Sequence, residues 1–154
     1  MYPTSDQGTT GRTAELLRAA RIVVAPETFT LISMSHVDFS RLLQNAELSP
    51  RGSSPYFILS DKYEVTLMLD ETDFATMRHA VRDAKSARGF RLLTFEIELD
   101  FGITGFLALV SRILAEADVP MIAVSAFSRD HILVKQNDLA AALKALGPHV
   151  AELC

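Results

Sequence analysis

The sequence predicts an α+β fold in which a β-α-β-β-α unit occurs twice. Segments rich in β-branched and aromatic residues alternate with segments of helical periodicity. With 154 residues, of which 49% are hydrophobic, the chain can bury the cores of two small units. A shift of 65 residues brings strands, turn and helix start of the two halves into register without a gap. Identical residues at that shift include Pro55 and Pro120, Ser60 and Ser125, and Asp73 and Asp138.

In the first half of the chain, the sequence predicts a short helix and a short strand, followed by five further elements. The short helix is predicted over 13–21, and the strand over 22–25 is stopped by Pro26. The elements that follow are a strand over 29–33, a helix capped by Asp38, strands over 56–59 and 64–69, and a helix capped by Thr72 that ends at Gly89. The clearest internal loop is predicted over 49–55.

The second half repeats that order with a stronger pattern. A strand over 90–99 and a glycine-bearing loop over 100–105 precede a helix over 106–117. Strands over 120–126 and 130–135 follow, and Asn137 or Asp138 caps a last helix. We therefore expect three segments: a flexible N-terminal tail over 1–12, a first unit over 13–87 and a second unit over 88–154.

Each unit is one strand short of a ferredoxin-like β-α-β-β-α-β sheet with helices on one face. The most economical source of a missing strand is 22–25, and such an exchange of strands would interlace the two units. The helix over 106–117 is apolar on more than one face, so we expect the sister half or another subunit to cover it. A homodimer is the simplest such assembly.

Composition excludes several classes of function. The net charge of −4 provides no basic surplus for nucleic acid. No apolar stretch is long enough to span a membrane, and the start lacks the pattern of a signal peptide. The single cysteine, Cys154, excludes an intrachain disulfide, so we expect a cytoplasmic protein.

No pattern in the sequence indicates catalysis, a metal or a cofactor. The four histidines lack the spacing of zinc ligands, and there is no nucleophile elbow. The stretch from Gly102 to Gly105 is too short for a dinucleotide or phosphate loop. We expect Glu96 and Glu98, which lie on one face of a strand, to be a solvated surface pair rather than an acid–base pair.

The loop over 100–105 is the most informative segment. A glycine-bearing turn at the start of a helix exposes backbone N–H groups and the positive end of the helix dipole, which suit a carboxylate. Asp130, which follows the next predicted turn, could receive an ammonium group. Together they describe a site for the polar end of an amino acid. The same residues also fit a tight turn and close helix packing with no ligand.

Residues 99–143 resemble the ACT regulatory domain, in particular the ACT units of aspartate kinases and of the cytosolic arginine sensors of animals. The matching residues are Gly102, Ile103, Gly105, Leu114-Ala115-Glu116-Ala117, Ser125, Asp130 and Leu133-Val134. The first half is similar to the partner unit of small bacterial tandem ACT proteins through Pro55-Tyr56-Phe57 and 63–67. Two positions depart from the usual pattern: Ala126 and Arg129 each replace a threonine.

The resemblance implies a non-catalytic protein that binds an amino acid at an ACT–ACT interface and signals to a partner in trans. The residues that the turn and the resemblance together assign to the ligand are Asp100, Phe101, Gly102, Ile103, Thr104, Ser125, Phe127, Arg129 and Asp130. Arg129 could neutralise Asp130 or favour an acidic ligand. Two alternatives stay open: a structural dimerisation module with no small ligand, and a hydrolase on a ferredoxin-like fold.

Overall fold

The computed structural model describes residues 6–45, 53–81 and 83–154, with side chains from residue 11 onward. Most of the predicted loop over 49–55 lies outside the described residues. The helices are α1 (Asp6–Ala19), α2 (His36–Leu43), α3 (Glu71–Met77), α4 (Phe106–Glu116) and α5 (Leu139–Leu146). The strands are β1 (Arg21–Val24), β2 (Phe29–Met34), β3 (Phe57–Ser60), β4 (Val65–Asp70), β5 (Lys85–Glu96), β6 (Ile122–Ser125), β7 (Asp130–Lys135) and β8 (Glu152–Leu153).

Contacts within the chain define two compact units whose boundaries differ from the predicted ones. Pro26–Phe90 forms one unit, here called the inserted unit. The described residues up to Ala25 and Arg91–Cys154 form the other, here called the discontinuous unit. Strand β5 contributes its first half to the inserted unit and its second half to the discontinuous unit.

The inserted unit has the strand order β3-β4-β2-β5, and the pairs β3–β4, β4–β2 and β2–β5 are antiparallel. Helices α2 and α3 pack on one face of this sheet, where alternate strand residues form the core. The buried core residues are Ile32, Met34, Leu42, Val65, Leu67, Leu69, Phe74, Met77 and Val81. This is the β-α-β-β-α-β arrangement, with the first half of β5 as its last strand.

Helix α3 is much shorter than the sequence predicted. Asp70, rather than Thr72, caps it: the Asp70 carboxylate accepts from the Asp73 N–H at 2.7 Å. The helix ends at Met77, and Gly89 lies inside β5 with a φ of 79°. The helical spacing of apolar residues continues beyond Met77, but pairing of β5 with β2 takes the chain into a strand. Tertiary pairing outweighs the local pattern here.

The discontinuous unit has the strand order β6-β7-β5-β1-β8. Strand β1 pairs antiparallel with the second half of β5, from Arg21 opposite Glu96 to Val24 opposite Leu93. Strand β8 pairs parallel with β1. The segment from β5 to α5 has the order β-α-β-β-α. The strand that completes its sheet is β1, which comes from the N-terminal part of the chain.

Helix α4 is covered on its extra apolar face by α1, which comes from the first half of the chain and belongs to the same compact unit. It contacts both α1 and α5. The buried core of the unit is Leu17, Ala20, Ile22, Leu93, Phe95, Phe106, Val110, Ile113, Leu114, Val119, Ile132, Val134, Ala142 and Leu146. The helix that supplies this cover begins at Asp6, so residues 6–12 are helical where a flexible tail was predicted.

The offset of 65 residues holds for the strands and the turn that follow the first helix of each unit. Strands β3 and β6 share it, as do β4 and β7. The turns between them also correspond, since Asp61 N–H donates to the Glu64 carbonyl and Ala126 N–H donates to the Arg129 carbonyl, at 3.0 and 2.9 Å. The two units thus share a backbone pattern over this stretch.

We predict that Ile22→Ala lowers the free energy of unfolding by about 2–5 kcal/mol, because Ile22 is fully buried in the core and its loss leaves a cavity. Val23→Ala is the matched control, since Val23 is its half-buried neighbour in β1. Urea denaturation followed by circular dichroism measures both changes. Equal losses for the two variants would contradict the placement of β1 in this core.

Candidate ligand-binding site

Two connections of the discontinuous unit meet at one end of its sheet. They are the loop from β5 to α4 and the turn between β6 and β7. The Leu99 N–H donates to the Ser128 carbonyl at 2.9 Å and so ties the loop to the turn. This hydrogen bond brings together the two segments that the sequence singled out.

The loop is held in shape by Asp100. Its carboxylate accepts from the Gly102 N–H at 2.7 Å, and its carbonyl accepts from the Ile103 N–H at 3.0 Å. A Cβ atom at Gly102 would lie 3.0 Å from that carboxylate, which explains the small residue there. The left-handed residue of the loop is Gly105, with a φ of 83°, and not Gly102. Asp100 therefore already occupies the N–H groups of Gly102 and Ile103.

The start of α4 is the remaining anion-binding feature of the loop. Gly105 is the N-cap residue and supplies no side-chain hydrogen bond to the first turn. The first N–H groups of a helix have no partner inside the helix. On the other side of the loop, the buried Thr13 hydroxyl of α1 donates to the Thr104 carbonyl at 2.9 Å. The loop is thus anchored from α1, while the first turn of α4 carries no side-chain cap.

The β6–β7 turn presents one carboxylate and one cation. The Ser125 hydroxyl donates to Asp130 at 2.6 Å. Arg129 donates to the Ser128 hydroxyl at 3.2 Å and, among these described residues, makes no ion pair with Asp130. Of the two roles that the sequence left open for Arg129, direct pairing with Asp130 is not seen among these described residues. Asp130 keeps a carboxylate oxygen available for a cationic group.

His131 adds no positive charge beside Asp130 at neutral pH. Burial lowers the pKa of His131, against the opposing effect of the Asp130 carboxylate, which raises it. One ring nitrogen lies 2.9 Å from the Thr94 hydroxyl. Because the neutral imidazole is favoured, Arg129 is the cationic side chain next to Asp130 in the sequence.

The loop and the turn line an open cavity of about 200 Å³. Seven of the nine predicted site residues line it, whereas Gly102 and Thr104 do not. Sequence analysis missed Leu99, Phe106 and Ala126, which also line it. The lining residues are Leu99, Asp100, Phe101, Ile103, Phe106, Ser125, Ala126, Phe127, Arg129 and Asp130.

Two exposed phenylalanines line this cavity. Phe101 and Phe127 are 79% and 82% exposed, although each is a large apolar side chain. Their rings meet edge to face, with centroids 5.0 Å apart and planes at 82°. This contact links the loop and the turn a second time.

The corresponding connection of the inserted unit is much shorter. Ser35 alone connects β2 to α2, and its hydroxyl caps α2 by accepting from the Asp38 N–H at 3.1 Å. His36 lies 2.8 Å from the Asp61 carbonyl and so closes the helix start against the β3–β4 turn. The discontinuous unit has the long glycine-bearing loop at this place instead.

Other classes of site were searched for over the described part of the chain. No group of three or more His, Cys, Asp or Glu side chains is arranged to hold a metal ion there. Within the same ranges, no helix has both the length and the apolar character needed to cross a membrane.

Comparisons with known proteins place an ACT domain in this part of the chain. The ACT domain family model matches residues 85–147, which span β5 to α5 and include the loop and the turn of the cavity. The chain is therefore an α+β protein that carries an ACT domain, and this match supports a regulatory, ligand-binding role. No curated protein sequence matches it significantly.

Solved structures share the fold over most of the chain. A Vibrio cholerae protein of unknown function is 21% identical with a TM-score of 0.68, over 92% of this chain and 98% of that one. An Agrobacterium tumefaciens protein is 18% identical with a TM-score of 0.66, over 88% and 92%. The ligand-free regulatory subunit of aspartate kinase from Thermus thermophilus is 11% identical with a TM-score of 0.62, over 86% and 98%.

We predict that Gly105→Ala destabilises the protein by about 1–2 kcal/mol, because its left-handed backbone disfavours a Cβ atom. Steric overlap contributes little, since the nearest atom to that Cβ is 3.9 Å away. Gly11→Ala in the interior of α1 is the control and should stabilise by about 0.5–1 kcal/mol. Thermal melting of both variants tests this, and a shift of the same sign in both would refute it.

Proposed function

We propose that this protein is a non-catalytic sensor that binds an amino acid in the cavity between the β5–α4 loop and the β6–β7 turn. The observation that carries the proposal is the juxtaposition of Asp130 with the uncapped start of α4 at one small cavity. A carboxylate and an N-terminal helix turn complement the two charges of a zwitterion. The cavity lies within the residues that match the ACT domain.

The ligand's ammonium group would meet Asp130, supported by Ser125. Its carboxylate would meet the first turn of α4 beyond Thr104, because Asp100 holds the N–H groups of Gly102 and Ile103. This placement differs from the sequence-based one in the donors that bind the carboxylate. The nine predicted residues remain the proposed site, with Gly102 and Thr104 acting through the shape of the loop.

The output of such a sensor would pass to a partner in trans. The relative from Thermus thermophilus is itself a regulatory subunit of a kinase, which gives a precedent for regulation by a separate chain. We also propose that the inserted unit is a second, ACT-like unit, and that strand β5 serves the sheets of both units. In this arrangement binding would change the shape or assembly of the protein.

A structural dimerisation module is the second candidate, and the surface of the inserted unit favours it. Its edge strand β3 exposes about half of Ile58 and Leu59, and α2 exposes Val37 and Leu43. Exposed strand edges and apolar patches commonly mark association surfaces. Under this alternative, light scattering would give twice the 16.9 kDa of the chain, and no amino acid would bind.

A thermal-shift screen with the twenty amino acids tests the proposed function. A ligand at 100 times its Kd stabilises the folded protein by about 2.7 kcal/mol and so raises the midpoint. We predict that Asp130→Ala weakens binding of the best ligand by about one to two orders of magnitude, because a charge-assisted hydrogen bond is lost.

Glu116→Ala is the control for Asp130→Ala, since it removes the same charge from an exposed position at the other end of α4. It should leave the affinity unchanged, and both variants should melt close to the parent in the absence of ligand. An affinity of Asp130→Ala within twofold of the parent would show that Asp130 does not hold the ligand.

We predict a stoichiometry of one amino acid per chain. Ser35 and His36 close the corresponding place in the inserted unit, so the internal repetition does not double the site. Isothermal titration calorimetry measures the ratio directly. Two equivalent sites per chain would contradict this interpretation of the inserted unit.

A further inference from the structure

We infer that the amino acid bound in this cavity carries an aromatic side chain. The inference rests on the proposed function and adds the class of ligand. It follows from the largely apolar lining of the cavity, and from the two phenylalanines that lie at it.

Apart from Ser125 and Asp130, the polar side chains that line the cavity are Asp100 and Arg129. Asp100 is bonded to its own loop, and Arg129 to Ser128. Asp130 is the carboxylate that remains for the ammonium group. The rest of the lining is apolar, and a charged side chain placed there would lose its hydration without a partner.

Phe101 and Phe127 provide the surface for an apolar side chain. About four-fifths of each is exposed, and exposed apolar clusters mark binding sites more often than single exposed residues do. Their edge-to-face contact leaves ring faces and edges available to a third ring. Aromatic pairs at such geometry are worth more than the area they bury, so an aromatic ligand gains over an aliphatic one.

The size of the cavity agrees with a single amino acid. Its volume of about 200 Å³ is below the range of roughly 300–1,000 Å³ typical of pockets for drug-sized ligands. Ala126 adds no side-chain hydroxyl to the turn. A ligand ring can therefore lie against Phe127 without leaving a polar group unpaired.

Titration calorimetry of the full chain with L-phenylalanine, L-leucine, L-aspartate and L-arginine tests the inference. We expect L-phenylalanine to bind about two- to tenfold more tightly than L-leucine. L-aspartate and L-arginine should bind at least tenfold more weakly than L-phenylalanine. Tighter binding of L-aspartate or L-arginine would overturn the inference and leave the proposed function standing.

Two variants of Phe127 separate the ring from its apolar character. Phe127→Ala should weaken L-phenylalanine at least about tenfold, whereas Phe127→Leu should mainly remove the preference for L-phenylalanine over L-leucine. Tyr63→Ala is the matched control, because Tyr63 is also 82% exposed but lies on the β3–β4 turn. It should not change the affinity.

Two further outcomes would also overturn the inference. Unchanged affinity for L-phenylalanine in Phe127→Ala would overturn the inference, because the exposed ring would then make no contact with the ligand. Failure of all twenty amino acids to bind the parent chain would overturn the proposed function, and the inference with it. Unshifted melting of the ligand-free variants shows that any loss arises at the site and not from unfolding.

Discussion

The pairing of β1 with the second half of β5 is the interaction on which the discontinuous unit depends. The segment from β5 to α5 leaves one edge of β5 unpaired within the unit, and β1 fills it. The N-terminal segment that contains β1 also contains α1, which covers the second apolar face of α4. Thr13 of α1 then holds the loop before α4 by a hydrogen bond to Thr104. One strand pairing thus supports both the core and the shape of the site.

The two units show how a repeated backbone can carry unequal chemistry. Their β-hairpins have the same offset and the same turn hydrogen bond. The difference lies in the connection from the first strand to the first helix. In the inserted unit Ser35 both makes this connection and caps α2. In the discontinuous unit a longer loop ends at the left-handed Gly105, so the start of α4 stays uncapped beside a cavity.

Charged side chains and aromatic side chains occupy different parts of that cavity. Asp100 stabilises the loop, Asp130 is oriented by Ser125, and burial keeps the His131 ring neutral at physiological pH. The aromatic rings of Phe101 and Phe127 lie against each other where loop and turn meet. A carboxylate and an aromatic surface thus lie in the lining of one cavity.

The sequence alone was enough to predict the α+β class, the order of the strands and helices other than β8, the offset between the halves and seven of the residues that line the cavity. These follow from local periodicity, turn chemistry and the glycine-bearing loop. It could not show that Asp100 fills the N–H groups of Gly102 and Ile103, that Gly105 is the left-handed residue, or that α3 ends at Met77. It gave no signal for Thr13, which lies 91 residues from its partner. Tertiary structure decided these features, because each depends on contacts between segments distant in sequence or on competition between a local pattern and a strand pairing.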